Sequence, residues 1–203
     1  MDRSELDDTV RRHLDAGDTH GALTVALRGL GPELLGFLCV LVKDQNEAGE
    51  VFADVCVRMW KSLPGFRWES SLRTWAYVVA RRAFLVHVQR RASWREHHVA
   101  LSGVPEDISA LVAKMRTSTI SAIRKDQRTR IERLRDTLPA DDQALLTLRI
   151  DRGLEWRDIA CVLADRDDLG PAELTRAAAG LRKRFERLKV SLRKLVADDE
   201  AKS

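Results

Sequence analysis

The chain has 203 residues, of which 44% are hydrophobic and 33% charged, a balance typical of a globular protein and unlike a disordered one. Its formal net charge is +4, which indicates a preference for anionic partners such as nucleic acid. The acidic residues gather near both ends of the chain, whereas the basic residues gather at 67–95 and 176–194.

The first part of the chain is predicted to be helical with two breaks. Residues 4–28 suggest two short helices interrupted at 15–18, and a second break is expected at 29–32, where glycines and a proline occur. An apolar helix follows over 33–43. No apolar run reaches the roughly 20 residues that span a bilayer, and the polar start is unlike a signal peptide. We therefore expect a cytoplasmic protein without membrane insertion.

An amphipathic helix is predicted over 47–63, and one of its faces is acidic. Glu47, Glu50 and Asp54 follow i, i+3, i+7 spacing, with Val57 and Arg58 beside them. An acidic stripe of this kind suits docking onto a basic helix of a partner. An ordinary solvated face explains the same pattern.

The next helix is expected to start at Ser70 or Ser71, whose hydroxyl groups can cap it, and to continue for about 20 residues. Its predicted core face consists of Leu72, Trp75, Ala76, Val79, Ala83 and Val86. The opposite face interleaves cations with apolar and aromatic side chains, namely Arg73, Tyr77, Arg81, Phe84, Val88 and Arg91. Guanidinium groups pair with phosphates and aromatic rings stack on unpaired bases, so this face suits melted nucleic acid. Alternatively, Tyr77 and Phe84 pack under a neighbouring helix.

The periodicity weakens after Ala92, and residues 93–126 are predicted to be a linker with at most a short helix at 106–116. Such a long connection argues for two domains, 1–92 and 127–203. The expected fold class is therefore all-α, with two small helical domains joined by a flexible linker.

The second domain carries the outline of a helix-turn-helix. Two short helices, over 141–149 and 156–163, precede a basic amphipathic helix over 172–196. Arg182, Lys183, Glu186 and Arg187 share its polar side, which in a helix-turn-helix is aimed at the DNA major groove. A basic terminal helix or a coiled-coil segment is the alternative.

No catalytic arrangement is evident in the sequence. The three cysteines form no C-x-x-C pair, and none of the five histidines lies at metal-ligand spacing with acids or cysteines. A phosphate-binding glycine loop and a nucleophile motif are also missing. We therefore expect no enzyme activity, no metal and no cofactor.

Two segments, roughly 33–91 and 127–195, resemble bacterial RNA polymerase sigma factors of the extracytoplasmic-function (group IV) type. The string from Phe66 to Trp75, FRWESSLRTW, closely resembles the F-R-G-E-S-S-F-R-T-W motif of that family. Further likeness lies in EVFADV from Glu50, GLEWRDIA from Gly153 and LRKRFERL from Leu181. The likeness implies a transcription initiation factor that binds core RNA polymerase, recognises a two-part promoter and helps to melt it.

The resemblance also implies roles for individual residues. Core polymerase would be bound by the acidic face, which comprises Glu47, Glu50, Asp54, Val57 and Arg58. The minus-ten element would be captured and melted by the loop and the helix after it, through Phe66, Arg67, Trp68, Glu69, Ser70, Arg73, Tyr77, Arg81, Phe84 and Arg91. The minus-thirty-five element would be contacted by Arg182, Lys183, Glu186 and Arg187. An anti-sigma factor is a further partner known for the family.

The sequence departs from the family pattern at several positions. Ala53 replaces a usual Gln, Trp68 a usual Gly and Arg82 a usual Asn, and a turn over 165–179 is expected to be longer than usual. A dimeric helix-turn-helix regulator of duplex DNA is the main alternative, and an adaptor protein is the second. The dimeric regulator leaves the aromatic face of the helix at 70–91 and the loop at 66–69 unexplained, and the adaptor would not bind DNA.

Overall fold

A computed structural model describes residues 2–92, 103–125, 130–164 and 169–200, in which all regular secondary structure is helical. This confirms the predicted all-α class. The chain divides into two compact units, Met1–Lys125 and Asp126–Ser203. The first unit contains α1 (Arg3–Asp15), α2 (Thr19–Val42), α3 (Gln45–Ser62), α4 (Leu72–Ala92) and α5 (Glu106–Lys125). The second contains α6 (Arg130–Arg135), α7 (Ala140–Leu146), α8 (Trp156–Leu163) and α9 (Pro171–Glu200).

Helix α2 is the centre of the first unit, since α1, α3, α4 and α5 all pack against it. The break predicted at 29–32 is wrong, because α2 continues through Pro32, which lies on its exposed side. The two glycines here make room for neighbours. A Cβ atom on Gly29 would lie 2.9 Å from the side chain of Leu6, and one on Gly31 would lie 2.8 Å from the Met115 sulfur.

The continuity of α2 also changes the expectation about apolar length. Its 24 residues are long and apolar enough to cross a bilayer, as judged by length and composition alone. However, 56% of its most apolar stretch is buried inside the protein, and a buried core helix of a soluble protein has the same composition. The prediction that no apolar run reaches this length is therefore wrong. The packing of α2 is that of a core helix.

Helix α4 starts as its sequence predicts. Ser71 caps it, because the Ser71 Oγ accepts a hydrogen bond of 3.1 Å from the backbone N–H of Thr74. The helix packs against both α2 and α3. Since two neighbours cover it, far more of its surface is buried than one apolar stripe would need.

Helix α5 lies within the predicted linker and is longer than the expected 106–116. It packs against α2 and α3, and its residues Ile108, Val112 and Met115 are buried. Residues 106–125 therefore belong to the first unit, which corrects the predicted linker over 93–126. The remaining parts of that segment, 93–102 and 126, lie outside the described residues.

In the second unit a π-helical turn, Thr147–Asp151, follows α7, and Gly153 ends it in the left-handed region with φ 64°. Helix α8 then packs against α9, with the rings of Trp156 and Phe185 edge to face at 5.4 Å. Because α9 begins at Pro171, the long turn predicted over 165–179 is wrong from that residue onward. Residues 165–168 lie outside the described part of the chain.

Candidate nucleic-acid interface

The loop between α3 and α4 displays a row of aromatic rings. The centroids of Phe66 and Trp68 are 4.7 Å apart, and those of Phe66 and Trp75 are 5.1 Å apart. The guanidinium carbon of Arg11, in α1, lies 4.4 Å from the Trp68 ring centroid. The ring planes are tilted by 48° and 33°, and the separations are those of aromatic contacts and of a cation–π contact. The loop thus presents flat apolar surfaces next to a positive charge.

The backbone of this loop is strained at one position. Trp68 has φ 59°, in the left-handed region that bulky residues avoid at a cost of about 1–2 kcal/mol. The charged side chains beside it extend into water, and Arg67 and Glu69 form an ion pair of 3.3 Å with 79% and 72% of their side-chain surfaces exposed. Ser70 is half-buried. The predicted loop residues are therefore together and largely accessible.

The predicted nucleic-acid face of α4 is mostly buried, which corrects the face assigned from the helical wheel. Arg73, Tyr77, Arg81 and Phe84 are each at most 8% exposed. The Tyr77 ring meets the Phe37 ring edge to face at 5.2 Å. The alternative for the aromatic pair holds: Tyr77 and Phe84 pack in the core.

Arg73 is held by a partner that lies 40 residues away in the sequence. Its Nε and Nη2 atoms donate hydrogen bonds of 2.7 and 3.1 Å to the two carboxylate oxygens of Glu33 in α2. Burial alone would lower the pKa of Arg73, but the hydrogen bonds and charge of Glu33 raise it. Arg73 is thus a structural cation that joins α2 to α4.

Two carboxylates of the acidic face of α3 pair with basic residues of the same chain. Glu47 accepts a 2.7 Å hydrogen bond from Arg91 and lies 3.3 Å from the His87 ring nitrogen, while Asp54 accepts 2.8 Å from Arg58. Glu50 is exposed. Val57, in contrast, is only 7% exposed, so its place in the predicted polymerase contact set does not match its burial.

The polar side of α9 agrees better with its predicted exposure. Arg182, Lys183, Glu186 and Arg187 are all exposed, while Phe185 is buried. The guanidinium of Arg182 lies 5.6 Å from the Trp156 ring centroid, and Glu186 pairs with Lys189 at 2.7 Å. The exposed face therefore combines three cations with one carboxylate.

Part of the first unit matches a known protein family. Residues 27–94 match the family Sigma-70 region 2. The first unit therefore contains a sigma-70 region 2 domain. The chain is also 25% identical over 144 residues to the RNA polymerase sigma-H factor of Pseudomonas aeruginosa, a match that covers 64% of this chain and 69% of that relative. No solved structure gave a significant match.

The region 2 match spans most of α2, the whole of α3, the aromatic loop and α4. It therefore includes the row of rings and the acidic face described above. Helix α1, which supplies Arg11, precedes the match, and the second unit follows it.

Sequence reasoning missed the accessible side of α4. That side starts beside the aromatic loop and continues along the helix at spacings of three and four residues. It consists of Trp75, Val78, Arg82, Leu85 and Gln89, which are half-buried or exposed. Two of these residues, Trp75 and Arg82, could have been found by extending a stripe from the aromatic motif rather than from the most apolar positions.

Proposed function

We propose that this sigma factor is of the extracytoplasmic-function type and that it recognises and helps to melt a two-part promoter. As a member of the sigma-70 family, it is a transcription initiation factor that associates with RNA polymerase. The more specific proposal assigns the minus-ten element and polymerase binding to the first unit, and the minus-thirty-five element to the second.

The observation that carries this proposal is the row of rings in the loop after α3. Promoter melting exposes unpaired bases, and an unpaired base gains about 1–3 kcal/mol from stacking on an aromatic side chain. Along this row the Phe66 ring lies 4.7 Å from Trp68 and 5.1 Å from Trp75, centroid to centroid. A base that enters the loop therefore meets a preformed stacking surface beside Arg11 and Arg67.

The DNA surface proposed here differs from the one predicted from the sequence. Buried Tyr77 and Phe84 are replaced by the accessible side of α4, which continues from Trp75 to Arg82 and Gln89. Arg82 is half-buried, and burial lowers its pKa, although its guanidinium stays charged at neutral pH. A cation next to an aromatic loop suits the phosphate backbone of the strand whose base is captured.

Core polymerase binding is assigned to the acidic face of α3, with Glu50 as its most accessible carboxylate. Glu47 and Asp54 already have basic partners within the chain, so a polymerase contact would share or exchange those partners. Glu50 is the exposed carboxylate of the three, so it is expected to contribute most to the electrostatic attraction.

The second unit is assigned to duplex DNA through the exposed side of α9. Phosphate contacts by Arg182, Lys183 and Arg187 would release counterions, so this part of promoter binding should weaken steeply as salt increases. An arginine that reaches a base edge would add about 1–3 kcal/mol of discrimination.

The dimeric regulator fits less well, because the region 2 match and the aromatic loop have no role in it. Sigma factors carry out no covalent chemistry, and we propose the same for this chain, acting in the cytoplasm with RNA polymerase. An anti-sigma factor that covers the acidic face of α3 is a further proposed partner.

The test combines binding to purified bacterial core RNA polymerase with run-off transcription from a genomic DNA pool. Tight binding and specific transcripts are expected, and their aligned start sites would identify the promoter. Glu50→Lys should weaken core binding. Asp8→Lys, which makes the same charge change at an exposed position of α1, should not. Sequence-specific binding to a palindromic duplex without any core binding would refute the proposal.

A further inference from the structure

Helix α1 contacts the two ends of the aromatic loop. The Asp7 carboxylate faces the backbone of Leu72, the first residue of α4: burial raises the pKa of Asp7, and the Leu72 N–H opposes that shift. One turn further along α1, the Arg11 guanidinium lies over the Trp68 ring, 4.4 Å from its centroid. Residues four apart lie on the same side of a helix, so one face of α1 holds both sites.

The Asp7 contact fixes the end of the loop next to α4. The first four N–H groups of a helix have no partner within it. Ser71 Oγ accepts a hydrogen bond from the N–H of Thr74, and the Asp7 carboxylate lies near the N–H of Leu72, so both its own N-cap and α1 stabilise the start of α4. The direction in which the chain enters α4 therefore depends on α1.

The Arg11 contact fixes the strained part of the loop. Trp68 adopts a left-handed backbone conformation that a bulky residue keeps only when its surroundings hold it. Its ring contacts both the Phe66 ring, at 4.7 Å between centroids, and the Arg11 guanidinium, at 4.4 Å from the centroid. The charged neighbours of Trp68, Arg67 and Glu69, are exposed and pair only weakly with each other.

Helix α1 is itself firmly placed. Leu6 and Val10, on its buried side, are 5% and 0% exposed, and Leu6 rests on the bare backbone of α2 at Gly29. Asp2 and Glu5 form a capping box at its start. A short helix anchored in this way can transmit its position to the loop.

We propose that α1 is a positioning clamp, in which Asp7 and Arg11 hold the loop 66–71 in the conformation that receives a promoter base. This inference rests on the proposed function, since it gives α1 a part in promoter opening. Asp7 and Arg11 are positioning residues: they act through Leu72 and Trp68 and need not touch DNA.

The first measurement concerns the free chain and needs no polymerase. In Arg11→Ala, amide hydrogen exchange over 66–71 should increase by about two- to fivefold, as expected for loss of an exposed cation–π contact, and the Trp68 indole NMR signal should shift. Arg11→Lys keeps a cation and should restore most of the protection. Arg12→Ala is the matched control, because Arg12 bonds Thr9 within its own helix.

The second measurement uses holoenzyme assembled from core polymerase and each variant, on the promoter found by run-off transcription. Arg11→Ala should form permanganate-reactive open complexes about two- to fivefold more slowly, with unchanged core affinity and thermal stability. In a chain that already carries Trp68→Leu, Arg11→Ala should have no further effect, since the ring on which it acts is gone.

Unchanged exchange over 66–71 in Arg11→Ala would overturn the clamp, and so would a loosened loop with open-complex formation at the wild-type rate. Failure of the wild-type chain to bind core polymerase is a different result. It would refute the proposed function, and with it any role of α1 in promoter opening.

Discussion

At the scale of single residues, the charge pair of Glu33 and Arg73 connects two helices of the region 2 domain. The Arg73 side chain is 9% exposed and that of Glu33 is 21% exposed, so both charges are largely removed from water. Two parallel hydrogen bonds compensate for this desolvation. Loss of either partner would leave the other charge buried without its main partner.

Arg73→Ala is therefore expected to lower the free energy of unfolding by about 3 kcal/mol, the typical cost of breaking a buried pair. Glu33→Ala should cost a similar amount, and the double variant should cost clearly less than the sum of the two. Chemical denaturation of all three would measure this coupling. The control Arg67→Ala removes an arginine that is 79% exposed and should change stability by no more than about 0.5 kcal/mol. Additive single and double variants would contradict the coupling.

The left-handed backbone at Trp68 predicts that glycine is more stabilising than alanine at this position. At φ 59° an alanine keeps the backbone strain and a glycine does not, so Trp68→Gly should be more stable than Trp68→Ala by about 1 kcal/mol. At Gln89, exposed on α4, the order should reverse, because alanine is favoured over glycine within a helix by about 1 kcal/mol. Thermal unfolding of the four variants tests both orders, and the same order at both sites would argue against strain at Trp68.

At the scale of elements, α4 shows what could and could not be predicted. Its start at Ser71 and the FRWESSLRTW motif depend on neighbouring residues, and local patterns identified both. Its orientation depends on α2 and α3, which cover it from two sides, and on Glu33, which is 40 residues away. A helix buried on two sides has apolar residues nearly all round, so the wheel could not separate its core face from its accessible face.

Helix α5 was missed as a packed element for a related reason. The surface of α2 and α3 that α5 contacts includes Gly31 and Gly49, and Gly31 lies within the helix break predicted at 29–32. A Cβ on Gly49 would lie 2.7 Å from the Arg116 Nε atom, so the glycine lets an α5 side chain approach the backbone of α3. The glycines in the interior of α2 and α3 therefore mark positions where α5 packs closely against these helices.

The docking of α5 can be tested with adjacent substitutions. Val112 is fully buried and Ala113 is exposed, so the same charge introduced at each should have opposite consequences. Val112→Asp should detach α5 and increase hydrogen exchange over 106–123, because a buried unpaired charge is strongly unfavourable. Ala113→Asp should leave exchange nearly unchanged. Equal exchange in the two variants and the wild type would show that α5 is not docked in solution.

At the scale of the whole molecule, the division into two units sets the boundary of the region 2 domain. The sequence suggests a domain that ends at residue 92, whereas the structure includes α5 and ends the first unit at Lys125. A domain that includes α5 should be more stable than one that ends at residue 92, because α5 buries Ile108, Val112 and Met115. Each such side chain contributes about 1.5–3 kcal/mol when fully buried, from which the entropy of ordering α5 must be subtracted.

A fragment of residues 1–125 should therefore melt at a clearly higher temperature than a fragment of residues 1–92. A net loss of about 1 kcal/mol already lowers the melting temperature of a domain this small by about 4–8 °C. Fragment 1–125 with Ile108→Ser and Val112→Ser separates docking from chain length, because it keeps every residue of α5 but loses the buried contacts. It should melt like 1–92. If it melts like unaltered 1–125, or if 1–92 is equally stable, then α5 adds nothing to the domain and the earlier boundary is the correct one.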